Sequence, residues 1–215
     1  MNEVISNKVL PDAGIASSKA AARLSFAAGA ASLVFLAALH VLSPEFDPAQ
    51  RMVSEYALGD HGWALLLMFL GWALSCVALF FAVKSQVRTL GGRIGLGLLL
   101  VAALGMTMGG VFDVNHNLHG VAAMIGMPTL PIAAVLISVS LLRNPAWAPG
   151  RRSLLWAAHL TWISLLLMTA GVFTGFSATG ETVPGAWFGW ANRLLIVAYN
   201  IWLLVVARRA VEVAE

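Results

Sequence analysis

The chain has 215 residues, of which 60% are hydrophobic and only 11% charged, and its mean hydropathy is +0.84. An ordinary soluble domain carries roughly a quarter charged residues, and no soluble fold of this length has interior enough to hide so much apolar surface. The net charge of +3 therefore says nothing about nucleic acid; in an apolar chain, basic residues set topology and touch the membrane surface.

The first 22 residues are mixed polar, with Pro11, Gly14 and a Ser17-Ser18-Lys19 stretch. They show no cleaved secretory signal and are expected to form a flexible cytoplasmic tail. Six apolar runs follow, at Leu24–Leu42, Trp63–Val83, Ile94–Phe112, Leu118–Leu142, Leu154–Gly175 and Trp187–Ala207. Each approaches the roughly 20 residues an α-helix needs to cross a hydrocarbon core of about 30 Å. None alternates as a barrel strand would. The expected fold is all-α: a polytopic six-transmembrane-helix bundle over residues 23–209, closed by a short cytoplasmic tail at 210–215.

Charge fixes the orientation. Lys8, Lys19 and Arg23 precede the first run, Lys84, Arg88 and Arg93 lie between the second and third, Arg143, Arg151 and Arg152 between the fourth and fifth, and Arg208 and Arg209 after the sixth. Eleven of the 13 basic residues thus share one side, which the positive-inside bias makes cytoplasmic. Both termini are then expected to be cytoplasmic. Arg51 and Arg193 fall on the other face with Glu45, Asp47, Glu55, Asp60, Asp113 and Glu181.

The first exoplasmic connection, SPEFDPAQRMVSEYALGDHG from Ser43 to Gly62, is the one long loop; Met52, Val53, Tyr56, Ala57 and Leu58 are spaced for a short lid helix on the outer mouth. Cys76, the single cysteine, reads as a packing residue and excludes a disulfide framework. Small residues four apart, such as Gly91 with Gly95, Gly105 with Gly109, Gly171 with Gly175 and Gly185 with Gly189, favour close helix packing in a monomer and allow a homodimer face. Pro128 and Pro131 interrupt the fourth run, where each removes a backbone donor. His159, alone toward the cytoplasmic half, reads as a packed or interhelically bonded side chain. Trp63, Trp147, Trp187 and Trp190 sit at span ends, where indoles bridge lipid and water.

Four of the five histidines gather on the exoplasmic side with the acids. Ser54, Glu55, Asp113, His119, Asn192 and Arg193 are the candidate binding residues of an outer polar pocket, able to orient a small amphiphile or lipid among apolar walls. A charge at the depth of Arg193 needs a partner, and Asp113 or Glu55 is the expected one. A second reading, a metal-dependent hydrolase, uses His116, His119, Asp113 and His40 around a zinc ion that lowers the pKa of a bound water. A small-solute transporter is a third, weakened by the lack of an inverted repeat. Haem held between His40 and His119 is a fourth. Nothing marks a phosphate-cradling loop or a nucleophile elbow.

The run Ser54-Glu55-Tyr56-Ala57-Leu58-Gly59, then Gly62-Trp63, Phe112-Asp113, His119-Gly120 and Asn192-Arg193-Leu194-Leu195 resembles the bacterial membrane-protein family filed as domain of unknown function 998. The likeness spans about residues 25 to 208. It implies a membrane bundle with a serine-glutamate motif after the first span, an aspartate after the third, a His-Gly at the fourth and an arginine in the last. No activity comes with it.

Overall fold

The structure, a computed structural model, describes residues 13–177 and 179–214, and for residues 13–17 the backbone only. The tail expected over residues 1–22 lies outside the described residues as far as residue 12. Six long helices carry the chain: α1 (Ala13–Leu42), α2 (Gly62–Val83), α3 (Leu90–Val111), α4 (Asn117–Leu141), α5 (Arg151–Gly175) and α6 (Phe188–Val213). All six are long and apolar enough to cross a membrane. Two 3-10 turns, Val53–Leu58 and Pro145–Gly150, interrupt the connections, and among the described residues the only extended pairing is an isolated bridge between Phe176 and Thr182.

Each helix packs on the next in sequence, and α6 closes the ring on α1 while also reaching α2 and α4. Short connections force this order, because consecutive antiparallel helices must be neighbours. The side chains are partitioned for lipid rather than water. Large apolar residues face outward, with Val41 80%, Met124 79% and Phe173 82% exposed, while small and polar ones such as Ala133, Ser75, Ser138 and Asn200 are buried. Close approach and interhelical hydrogen bonds replace the hydrophobic drive that lipid removes. Gly105 shows the first: a Cβ there would lie 2.6 Å from the Gly126 Cα, so α3 and α4 touch backbone to backbone. Ser25 and Ser75 show the second, each hydroxyl donating to the other's backbone carbonyl at 2.9 and 2.8 Å across α1 and α2.

Three expectations need correction. α1 starts at Ala13, well before the apolar run, because AGIASSKAAAR is rich in alanine, the strongest helix former. The Ser18 hydroxyl then donates to the Ala82 carbonyl at 2.6 Å, tying this extension to α2. α6 likewise continues to Val213, with Arg208 and Arg209 both paired to Glu212 one turn on. His159 is not packed between helices but exposed on the outer face of α5, about two turns from its Arg151 end, where an imidazole can reach the headgroup region.

α4 runs unbroken across Pro128 and Pro131. Pro131 has no N–H for the carbonyl of Met127, four residues back. Tyr199 of α6 takes its place, its hydroxyl donating to Met127 O at 2.6 Å. An unpaired carbonyl at membrane depth is costly, so the phenol is what lets α4 keep a proline here. Tyr199→Phe is expected to lower unfolding free energy by about 1–3 kcal/mol, measured by denaturant titration in mixed micelles; an unchanged midpoint would show that Met127 O has another donor.

Candidate functional site

At the end of the bundle opposite most of the cations, the connection from α1 folds back over α6. Asp47 accepts from the Ala49 N–H at 2.9 Å in a tight turn, and the chain then crosses Gly189, whose N–H donates to Ala49 O at 2.9 Å. Only glycine allows this crossing, since a Cβ at 189 would meet the carbonyl oxygens of Pro48, Ala49 and Arg51. The turn Val53–Leu58 follows, held to α6 by the Val53 N–H donating to Asn192 Oδ1 at 2.8 Å.

Arg193 is the knot that ties these pieces together. It is 4% exposed and donates in four directions: Nε to His40 Nε2 at 2.7 Å, Nη1 to Arg51 O at 2.8 Å and to Gly189 O at 2.9 Å, and Nη2 to the Tyr56 hydroxyl at 3.0 Å. The guanidinium also lies over the rings of Tyr56 and Trp190, 5.6 and 5.9 Å from their centroids, where the π faces offset its charge. A guanidinium only donates, so His40 Nε2 must present a lone pair. Nδ1 then carries the proton, donated to Leu36 O at 2.7 Å. Both ring nitrogens of His40 are thereby spoken for.

The carboxylate expected opposite Arg193 is not there. Glu55 is taken by its own turn, Oε1 accepting from the Met52 N–H at 2.8 Å and Oε2 from Arg51 Nη1 at 2.8 Å. Asp113 is exposed and accepts from the Asn115 N–H at 2.8 Å. Short acidic side chains next to free backbone N–H groups close local turns before they reach across a bundle.

The four candidate metal ligands do not converge either. His116 is exposed, stacks on Phe112 with ring centroids 4.5 Å apart, and starts α4 by accepting from the Leu118 N–H at 3.1 Å. His119 gives Nδ1 to Phe112 O at 2.8 Å, and His40 is occupied as described. Among the described residues no three His, Cys, Asp or Glu side chains are grouped to hold a metal ion, so the donor set does not fit zinc.

Three candidates do meet. Ser54, His119 and Asn192, all half-buried, stand on the wall of one cavity of about 180 Å³ between the 3-10 turn and α2 to α6. Sequence reasoning placed Met52 and Val53 in the lid but missed most of the wall below it, including Met106, Met127 and Met168, Phe69 and Trp72, and the glycines 105, 109 and 126. It missed Tyr56 as a partner of Arg193 as well. The available signal was that the chain has only two tyrosines, and that Tyr56 shares the apolar spacing of Met52, Val53, Ala57 and Leu58 in the lid, where a buried phenol needs a partner. His119 Nδ1–H faces a carbonyl, leaving Nε2 as an acceptor, and Ser54 brings a hydroxyl. The cavity is thus polar at one end and apolar through its body. A second cavity of about 240 Å³ lies at the cationic end, beside Arg88 and Arg143.

The family model described as "Protein of unknown function (DUF998)" matches residues 26–209. No curated protein and no solved structure matches the chain.

Proposed function

The chain belongs to the DUF998 family and carries six helices fit to cross a membrane, and from that premise we propose that it receives a small amphiphile in the cavity beneath the Val53–Leu58 turn, with that turn as its lid. The cationic end faces the cytoplasm of a bacterial-type inner membrane in this reading, with both termini inside. The charge count supports that orientation, because Arg and Lys are retained on the cytoplasmic side.

The observation that carries the proposal is the division of the cavity wall. Ser54, His119 and Asn192 offer donors and acceptors at one end, and methionine, glycine, aliphatic and aromatic carbon line the remainder. A pocket of this kind fixes a polar head by a few hydrogen bonds and takes an apolar body without further direction. Methionine adapts its shape to what it touches, which suits a family of related molecules better than one rigid ligand. The size sets a limit: a cavity of about 150 Å³ holds benzene, so this one, at about 180 Å³, takes a body somewhat larger than benzene, or the terminal part of a longer chain.

The test is binding of acetophenone to the protein in nanodiscs, by equilibrium dialysis against empty nanodiscs. Ala123 lines the cavity and is half-buried, so Ala123→Phe fills it from α4 while leaving Ser54, His119 and Asn192 unsubstituted. Saturable binding is expected in the wild type, weakened at least about tenfold in the variant, a difference of about 1.4 kcal/mol. Equal binding by both proteins would overturn the proposal.

A further inference from the structure

The second cavity, about 240 Å³ at the cationic end, lies between the connection from α2 to α3 and the end of α4. Six of its seven wall residues are polar or charged: Gln86, Arg88, Thr89, Ser140, Arg143 and Asn144. Their spare groups are donors. Gln86 Oε1 accepts from Trp147 Nε1 at 2.7 Å and Asn144 Oδ1 from the Ala146 N–H at 3.1 Å, so both amide oxygens are turned to the protein and the NH2 groups are left over. Thr89 and Ser140 serve each other, Thr89 Oγ1 donating to Ser140 Oγ at 2.9 Å. Arg88 and Arg143 bring guanidinium groups, which only donate.

No carboxylate balances this charge. Among the described residues the only acid at this end is Glu212, and Arg208 and Arg209 hold it. Two guanidinium groups on one cavity wall repel each other, and an anion between them removes that cost. The field is reinforced from α3, whose first turn is capped by Thr89 Oγ1 accepting from the Gly92 N–H at 3.0 Å, because a helix start carries partial positive charge. The wall is also held in place: Trp147, which fixes Gln86, is fully buried.

We infer that this cavity binds a phosphate group, gripped by Arg88 and Arg143 and completed by the NH2 groups of Gln86 and Asn144. Charged phosphate oxygens only accept, and arginine meets them through paired hydrogen bonds. The site lies where α2, α3 and α4 begin or end, the level at which a span meets lipid headgroups, so the phosphate of an anionic lipid reaches it. A soluble phosphate presents the same chemistry. The volume exceeds the roughly 150 Å³ that holds benzene, which leaves room for the first carbons esterified to the phosphate.

The experiment titrates the protein in maltoside micelles, which contain no phosphate. Dioleoylphosphatidylglycerol and dioleoylglycerol, the latter without a phosphate, are followed by native mass spectrometry, and radiolabelled inorganic phosphate by equilibrium dialysis. Arg88→Gln with Arg143→Gln strips the cavity of its cations. Arg151→Gln with Arg152→Gln removes as much charge at the same end, from the first turn of α5 and off the wall. Asn144→Asp keeps an acceptor for the Ala146 N–H and puts a carboxylate on the wall. Phosphatidylglycerol is expected to bind at least about tenfold more tightly than dioleoylglycerol, to weaken at least about tenfold in the cavity pair and in Asn144→Asp, and to change less than about threefold in the α5 pair. The same pattern with inorganic phosphate and none with the lipid would assign the site to a soluble phosphate. Equal losses in the two double variants, or binding untouched by Asn144→Asp, would reduce the effect to general attraction by surface cations and overturn the inference, as would a wild type that binds neither phosphate probe. All four arginines are exposed, so their replacement leaves the packing of the bundle intact.

Discussion

Arg193→Met is expected to cost at least about 3 kcal/mol of unfolding free energy and to lower the melting temperature by roughly 10 °C, more than any other polar substitution in the bundle. The reason is the number of acceptors left behind. His40 Nε2, Arg51 O and the Tyr56 hydroxyl all lose their donor at once, in a place where water cannot readily replace it. Arg193→Lys is expected to recover little. Its bonds leave from three different nitrogens toward α1, the connection after it, the 3-10 turn and α6 itself, whereas lysine has one nitrogen on a flexible stem. Asp113→Asn separates this account from ion pairing: the carboxylate is exposed and closes a local turn, so the change should stay within about 0.5 kcal/mol. Thermal unfolding of the three variants in one detergent decides the matter. A lysine variant as stable as wild type, or an Asp113→Asn loss matching Arg193→Met, would contradict the hydrogen-bond account.

The six spans were legible because a bilayer imposes one requirement on each of them, about 20 apolar residues, and composition alone satisfies it. The extension of α1 to Ala13 was not, since a polar, alanine-rich stretch has helix propensity without hydropathy. The sequence marked Arg193 as a residue in need of partners and could not say which. Charge counting favours carboxylates, but Glu55 and Asp113 have backbone N–H groups within two or three residues, and local closure wins. The true partners, His40 and Tyr56, depend on α6 lying beside α1, a neighbour relation between the first and last helices that no short-range pattern encodes. Three of the proposed binding residues share the cavity because His119 opens α4 and Asn192 opens α6 at the same end as Ser54. Its body was invisible for a different reason: methionines and glycines in apolar runs read as packing, and a void is the absence of a residue.

Gly189→Ala is the second large effect, and it bears on function as much as on stability. A methyl group there would lie 2.7 Å from both Ala49 O and Arg51 O, with Pro48 O nearer still. These are backbone atoms, which cannot rotate aside as a side chain would. The connection must lift off α6, breaking the Gly189 to Ala49 hydrogen bond and pulling Arg51 O away from Arg193. A loss of about 2–4 kcal/mol follows from two disrupted buried hydrogen bonds and the overpacking. The displacement also travels to the cavity, because Met52, Val53 and Ser54 continue directly from the lifted segment and form one of its walls. Limited proteolysis is therefore expected to cut Gly189→Ala after Arg51 at least about tenfold faster than wild type, and acetophenone binding should weaken in parallel. In Arg193→Met the segment loses one anchor but keeps the Gly189 crossing, so cleavage should accelerate less. A Gly189→Ala protein cut at the wild-type rate would mean that the carbonyl crossing does not hold the turn in place. Rapid cleavage with unchanged binding would instead show that the cavity keeps its shape without the turn, and the lid would lose its role.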